Sequence, residues 1–329
     1  MSHQDCLIRG DEYLKKFPDF DLFGRDRELS SLQGILMRNR SNSALVVGTG
    51  GAGVSALCMG LESTREHPNP HMDIVGKRIF WLATDTLFSS GDSVEINATF
   101  RKLTASLART PQAILIIDDM RDFIDACRSN GCTNLINSLM RDIKNHKYQA
   151  IIESRDEDLD SVIKCHSDMR EVFTMMDLAE PEGENLNTIV QESVKRLEKF
   201  HGIKIGDDAV SVAIEVTSKY RVNDASLSRA QPERTLTLLD RALARYRHDA
   251  HIQSPELYGL NKEMKSIEKA LSDDFSNSAH IADKSKREAK QRKASERVGR
   301  NKRANQHDLE VQWQPLTEAR SNACNVGAF

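Results

Sequence analysis

The chain has 329 residues, of which 39% are hydrophobic, 29% charged and 5% aromatic, with a formal net charge of -3. That length suits an α/β domain with an accessory domain and tails, the near-neutral charge selects no partner class, and a mean hydropathy of -0.51 points to polar tails on a globular body. No run approaches the roughly 18 apolar residues of a membrane span, and residues 1–20 are charged throughout without a signal-peptide core, so a cytoplasmic protein is expected. The six cysteines match no zinc or redox spacing and read as reduced thiols.

Residues 1–18 are polar and are expected to form an N-terminal arm, followed by a large α/β subdomain over 19–180. It opens with DLFGRDREL, Asp21 to Leu29. Phe23 and Gly24 make a turn, and a helix capped by Asp26 places Leu29, Leu32 and Leu36 on one face before a strand over Ala44 to Val47. Then comes LVVGTGGAGVSAL, Leu45 to Leu57, an apolar run that breaks into a glycine-rich turn and resumes as an amphipathic helix. In a phosphate-binding loop of pattern G-x-x-x-x-G-K-[ST], glycines let backbone N–H groups converge on phosphate, the lysine reaches the outer phosphates and the hydroxyl holds magnesium. Gly48, Gly50, Gly51, Ala52, Gly53 and Ser55 fit that frame, while Val54 stands at the lysine position. The competing reading is a turn that only joins strand to helix.

Further on, Ile114 to Met120 reads ILIIDDM. Apolar residues followed by paired acids are how a central buried strand delivers a carboxylate to a magnesium site at its C-terminal end, which makes Asp118, with Ser55, the candidate magnesium ligand pair. Gln149 to Arg155 reads as another inner strand. From Pro181 the pattern turns helical, and residues 181–252 are expected to form a helical subdomain. One stripe holds Ile189, Val190, Val194, Leu197 and Phe200, a second covers Ala209 to Tyr220 and a third Pro232 to Tyr246. Residues 253–275 carry Leu257, Leu260, Met264, Ile267 and Leu271 at coiled-coil spacing. The tail, 276–329, is basic and expected to be flexible. Its stretch 284–303 holds ten Lys or Arg against two Glu, a run that is usually solvated but leaves nucleic acid open as a partner.

The order of these segments resembles the Clp family of AAA+ proteins. Its first ATPase module opens with a turn similar to LFGRDREL, and it carries strands where GKRIFWLAT (Gly76 to Thr84) and ILIIDD lie, and a lid helix similar to QPERTLTLLD (Gln231 to Asp240). The resemblance spans residues 21–275 and implies a three-layer α/β/α AAA+ parallel sheet with a helical lid, followed by a stump of the family's coiled coil. It also implies that Phe23 and Gly24 contact adenine, that Arg234 faces the nucleotide, and that ATP or ADP with magnesium is the ligand. On this resemblance the chain is expected to lack the family's amino-terminal adaptor domain and second ring.

Several family positions are altered. Asp119 replaces the glutamate that activates water, and being one methylene shorter it would fall short by about 1 Å, a misplacement that can cost about a hundredfold in rate. Ser154 or Arg155 occupies the phosphate-sensing position, depending on register. In Asp168 to Phe173, Glu171 and Val172 replace the finger arginines, with Arg170 one position early, and in Asp92 to Thr99 Glu95 replaces the substrate-gripping aromatic. The expectation is therefore a degenerate Clp-like subunit, a pseudo-ATPase scaffold in a homo- or hetero-oligomer, joined to protein partners through its ring-type surfaces, coil and tail. Catalytic residues are limited to the candidates Asp118 and Asp119. Two alternatives stand beside it: a slow ATPase whose missing cation comes from Arg155, Arg170 or a partner, and a nucleic-acid-associated factor acting through 284–303.

Overall fold

A computed structural model describes residues 5–64, 72–220, 227–253 and 266. Its elements are β1 (Leu7–Arg9), α1 (Gly10–Leu14), α2 (Asp26–Leu36), β2 (Ser43–Gly48), α3 (Val54–Ser63), α4 (Met72–Val75), β3 (Arg78–Leu82), α5 (Thr84–Phe88), α6 (Ser93–Arg109) and β4 (Ala113–Ile117). They continue with α7 (Met120–Ser129), α8 (Asn134–Lys144), β5 (Gln149–Arg155), α9 (Leu159–Lys164), α10 (Met169–Val172), β6 (Phe173–Leu178), α11 (Gly183–His201), α12 (Asp207–Lys219) and α13 (Glu233–Gln253).

The strands form one six-stranded sheet in the order β1-β3-β4-β5-β2-β6. All neighbours run parallel except β1, which pairs antiparallel with β3. Strands β2 and β4 are apolar along their length because helices cover both faces of a parallel sheet. Leu45 and Val47 join the core on one face with residues of α6, α7 and α8; Ala44 and Val46 join the core on the other with residues of α2 and α3. This alternation puts Ala150 and Ile152 of β5 in the first core and Ile151 in the second, so Glu153 shares its face with Ile151.

Residues expected as an N-terminal arm contribute β1 and α1. Leu7 pairs with Leu82 and Arg9 with Phe80, extending the sheet past β3. Asp26, expected as the cap of α2, is its first residue; Arg25 holds the N-cap position and no side chain caps the helix there. Phe200, counted in the apolar stripe of α11, is 75% exposed, whereas Val190 and Val194 are buried. The segment Asp92 to Thr99 is the start of α6, with Asp92 as N-cap accepting from the Val94 N–H at 2.9 Å. Apart from Gln253 and Ser266, residues 253–275, and with them the whole basic tail and its stretch 284–303, lie outside the described residues.

By internal packing the chain divides into two units, Met1–Phe200 with Val210–Leu238, and His201–Ala209 with Leu239–Phe329. The first contains the whole sheet. In the second, His201 Nε2 meets Asp240 Oδ1 at 2.7 Å, and Leu239 and Leu243 are buried.

Candidate functional site

The glycine loop leaves the C-terminal end of β2 and enters α3 through two residues that only glycine adopts comfortably. Gly51 has φ of +99° and Gly53 +96°, the latter as N-cap of α3. The first amides of α3 have no intrahelical acceptor, which makes the loop an anion-attracting end. Its shape is held from two sides. The Ala52 N–H donates to the Thr49 carbonyl at 2.9 Å, and the buried Arg25 guanidinium donates to the Ala52 carbonyl at 2.8 Å while pairing with Glu28 at the same distance. Arg25 thus serves as a strut for the loop, a role the sequence did not suggest.

Val54, at the lysine position, turns inward. It packs against the second core, and its Cγ2 would lie 2.8 Å from a Cβ placed on Gly48. An apolar side chain so placed brings no positive charge to the loop.

The lid closes on the loop within the first unit. The Ala230 N–H donates to the Gly50 carbonyl at 3.3 Å, and a Cβ on Gly51 would meet Glu233 Cβ at 2.9 Å and the Ala230 carbonyl at 3.2 Å. This stretch is fixed by a buried polar network in which Gln231 Nε2 donates to Thr217 Oγ1 at 2.8 Å and Thr235 Oγ1 donates to Gln231 Oε1 at 2.6 Å. Arg234 is 6% exposed and donates to the Ser228 and Tyr220 carbonyls, both at 3.2 Å, so its guanidinium braces the lid. The Phe23–Gly24 turn also meets lid residues: Gly24 has φ of +62°, and a Cβ there would stand 3.0 Å from the Asn185 carbonyl and from Ile189 Cγ1.

Beneath the loop three side chains converge from three elements. Ser55, in the first turn of α3, donates its hydroxyl to Glu153 Oε2 of β5 at 2.7 Å. Asp118, just past β4, accepts from the Tyr13 hydroxyl at 3.2 Å through Oδ2. Tyr13 lies on α1, stacked on Trp81 with ring centroids 4.4 Å apart and planes 5° from parallel. Burial pushes the Asp118 carboxyl up to about 6, although the Tyr13 bond and the Lys16 charge oppose the shift. Glu153 is 3% exposed, and burial, reinforced by the Asp118 charge, pushes its carboxyl up to about 8. The same burial raises the Tyr13 hydroxyl and, next to Glu153, the Cys58 thiol.

Ser55 and Asp118, the pair expected to hold magnesium, fit that ion: Asp118 Oδ1 is buried without a hydrogen-bond partner, and both groups offer hard oxygens. Among the described residues no cluster of three or more His, Cys, Asp or Glu forms a metal site, so any cation here depends on a mixed carboxylate and hydroxyl set. Glu153 is the member that sequence reading missed.

The remaining candidates are placed differently. Asp119 is the N-cap of α7, where Oδ1 accepts from the Arg121 and Asp122 N–H groups at 2.9 and 3.1 Å. Of the two residues considered for the sensing position, Ser154 donates to the Arg155 carbonyl at 3.0 Å, and Arg155 is exposed, 3.9 Å from Asp119 and equally far from Glu157. Arg170 is exposed on α10, while the neighbouring Asp168 and Glu171 pair with Lys144 at 2.8 and 3.1 Å.

A five-strand parallel arrangement with a glycine loop leaving β2, an acid after β4 and a lid folded over the loop defines an AAA+ type of fold. The AAA lid domain family matches residues 183–308. The ClpC ATP-binding subunit of the ATP-dependent Clp protease from Staphylococcus saprophyticus is 23% identical over 294 residues, covering 87% of this chain and 35% of that protein. The chaperone protein ClpB of Aquifex aeolicus is 23% identical over 251 residues, covering 76% of this chain and 24% of that protein. Among solved structures, the S. cerevisiae Hsp104–ADP complex superposes with a TM-score of 0.66 at 18% identity, covering 96% of this chain and 42% of that one. An extended Hsp104–casein complex gives 0.63 at 17% identity, with 82% and 49% covered. The chain has an AAA+ fold and is similar to the AAA+ modules of Clp-family proteins. It spans about a third or less of the length of these curated relatives.

Proposed function

We propose that this chain is a nucleotide-binding Clp-type AAA+ subunit that turns nucleotide over slowly or not at all, and that it serves a structural or regulatory role in a larger oligomer. The observation that carries this reading is the contrast at the loop: the glycine geometry, Ser55 and Asp118 are retained, while Val54 packs into the core and Asp119 caps α7. Phosphoryl transfer relies on positioning and charge, so altering both leaves binding without efficient chemistry. The relatives' names, an ATP-binding subunit and an ADP complex, support nucleotide as the ligand class. Magnesium, when bound, would supply positive charge to the outer phosphates. On this reading Ser55 and Asp118 hold it, the loop amides receive the phosphates, and the Phe23–Gly24 turn receives the base.

The test is a titration of the purified chain with a fluorescent ATP analogue and magnesium, beside thermal shifts with ATP and ADP and an assay of released phosphate. Saturable binding without release is expected; absence of binding at millimolar nucleotide contradicts the proposal.

Arg155 favours a second reading. Its guanidinium stands 3.9 Å from Asp119 at the end of β5, so it can bring positive charge beside the candidate base. On that reading the chain hydrolyses ATP slowly and loses the activity on Asp118→Asn. A role in nucleic-acid binding through 284–303 predicts affinity that falls steeply with salt and on deletion of that stretch.

A further inference from the structure

Strand β5 lies between β2 and β4, so its outward end separates the glycine loop from the acid after β4. Ile117 pairs with Ile152 in parallel register, and the next residues along the two strands are Asp118 and Glu153. Neighbouring parallel strands in register point their side chains to the same face, with backbones about 4.8 Å apart. The two carboxyls therefore stand side by side under the loop, an arrangement with no counterpart in the phosphate-loop pattern itself.

Each carboxyl has one oxygen in a close hydrogen bond, and Trp81 and Cys58 also interact with Asp118 and Glu153 respectively. Asp118 Oδ2 accepts from Tyr13 and Glu153 Oε2 from Ser55. Asp118 Oδ1 and Glu153 Oε1 are buried with no hydrogen-bond partner, although Glu153 is 3% exposed and a buried polar atom is ordinarily paired. The Ser55 hydroxyl that touches Glu153 belongs to an exposed residue at the start of α3, so the pair communicates with the mouth of the loop. Two buried carboxylate oxygens and a hydroxyl are hard donors of the kind that magnesium-like cations take. The lysine position of the loop itself brings no positive charge, because Val54 packs against the second core.

We infer that Glu153 is a ligand, beside Asp118 and Ser55, of the divalent cation at this loop, and that this cation replaces the positive charge lost at Val54. The inference deepens the nucleotide-binding reading, and rests on it for the part that concerns nucleotide. Its consequence is an unusually strict cation requirement: with the cation, Glu153 helps to hold nucleotide, and without it the loop has no positive charge at the lysine position.

Two titrations of the full chain test it. Mn2+ alone is followed by electron paramagnetic resonance of the free ion, and a fluorescent ADP analogue is titrated in Mg2+ and in EDTA. Glu153→Gln keeps an acceptor for Ser55 while removing the charge. It should weaken Mn2+ binding by at least about tenfold, and lose most of the gain in ADP-analogue affinity that Mg2+ gives the wild type. Unchanged Mn2+ affinity in Glu153→Gln, or wild-type ADP binding equal in Mg2+ and EDTA, overturns the inference. Should Glu153→Gln fail to fold, Ser55→Ala at its exposed position carries the Mn2+ test, with weakened binding supporting the three-ligand set and unchanged binding overturning it. Mn2+ bound through Glu153 in a chain that binds no nucleotide would support the cation site while removing the nucleotide reading, so the two fail separately.

Discussion

The two ends of the site differ in what their backbone and side chains are engaged with. At the glycine loop, left-handed glycines at 51 and 53, the Arg25 strut and the lid carbonyl contacts all maintain a shape suited to phosphate. At the end of β4 the acid expected as the base is taken up by the fold itself, because Asp119 holds the first turn of α7; Arg170 lies at the opposite end of the sheet, just before β6, between acids that pair with Lys144. The loop geometry also packs the lid, so on the proposed reading it is kept while the groups for chemistry are not. A retained binding surface is therefore compatible with lost chemistry.

The largest effect that would break this contrast is at the loop. Gly51→Val introduces a Cβ at φ of +99° against Glu233 and the Ala230 carbonyl. It is expected to cost about 1–3 kcal/mol in denaturant unfolding and to abolish binding of the nucleotide analogue; retention of binding would show that the loop is not the site. Next is Arg25→Met, which removes the buried donor to the Ala52 carbonyl. A bond to a charged group of this kind is worth about 1.5–3 kcal/mol, so reduced stability and weaker nucleotide binding should appear together in melts with and without ADP.

Val54→Lys sharpens the comparison from the other direction. Restoring the charge should tighten nucleotide binding in EDTA by about tenfold, or ~1.4 kcal/mol, without raising phosphate release, because Asp119 still caps α7. Release that rises with this single change would place the defect at the lysine alone.

The smallest expected effect is on pH dependence. The Glu153 carboxyl sits at about 8 in the folded chain against an ordinary 4.5, and Asp118 at about 6 against 3.8. Both folded values are raised, so the folded state holds protons more tightly than the unfolded state. The resulting stability is fully present below the unfolded values and is lost as pH rises through about 6 and about 8. The metal-free melting temperature should fall from about pH 4 to about pH 8, and the fall should be shallower in Glu153→Gln.

Much of the fold was legible because long apolar runs with clear ends specify buried parallel strands. Gln149 to Arg155 is read as a strand and forms β5 with those bounds, and the apolar run before the glycines forms β2. The lid helices followed from their 3.6-residue stripes, except at Phe200, where the last turn of α11 rotates the ring into solvent. What stayed hidden depends on long-range register. Tyr13 lies in a short polar segment 105 residues from Asp118, and only the pairing of β1 with β3 brings it there. Glu153 is one acid inside an apolar strand, and nothing local says which face it takes until β5 is placed between β2 and β4. The phosphate pattern itself names residues along one stretch of chain, so a carboxylate supplied by a neighbouring strand cannot register in it.

The central claim is that the chain binds nucleotide without efficient turnover. It is tested most directly by following a fluorescent ATP analogue and released phosphate in the same magnesium-containing sample of the full chain. The account predicts saturable binding with phosphate release indistinguishable from the protein-free rate. Contradiction would come from no binding at millimolar nucleotide, or from steady release that disappears in Asp118→Asn.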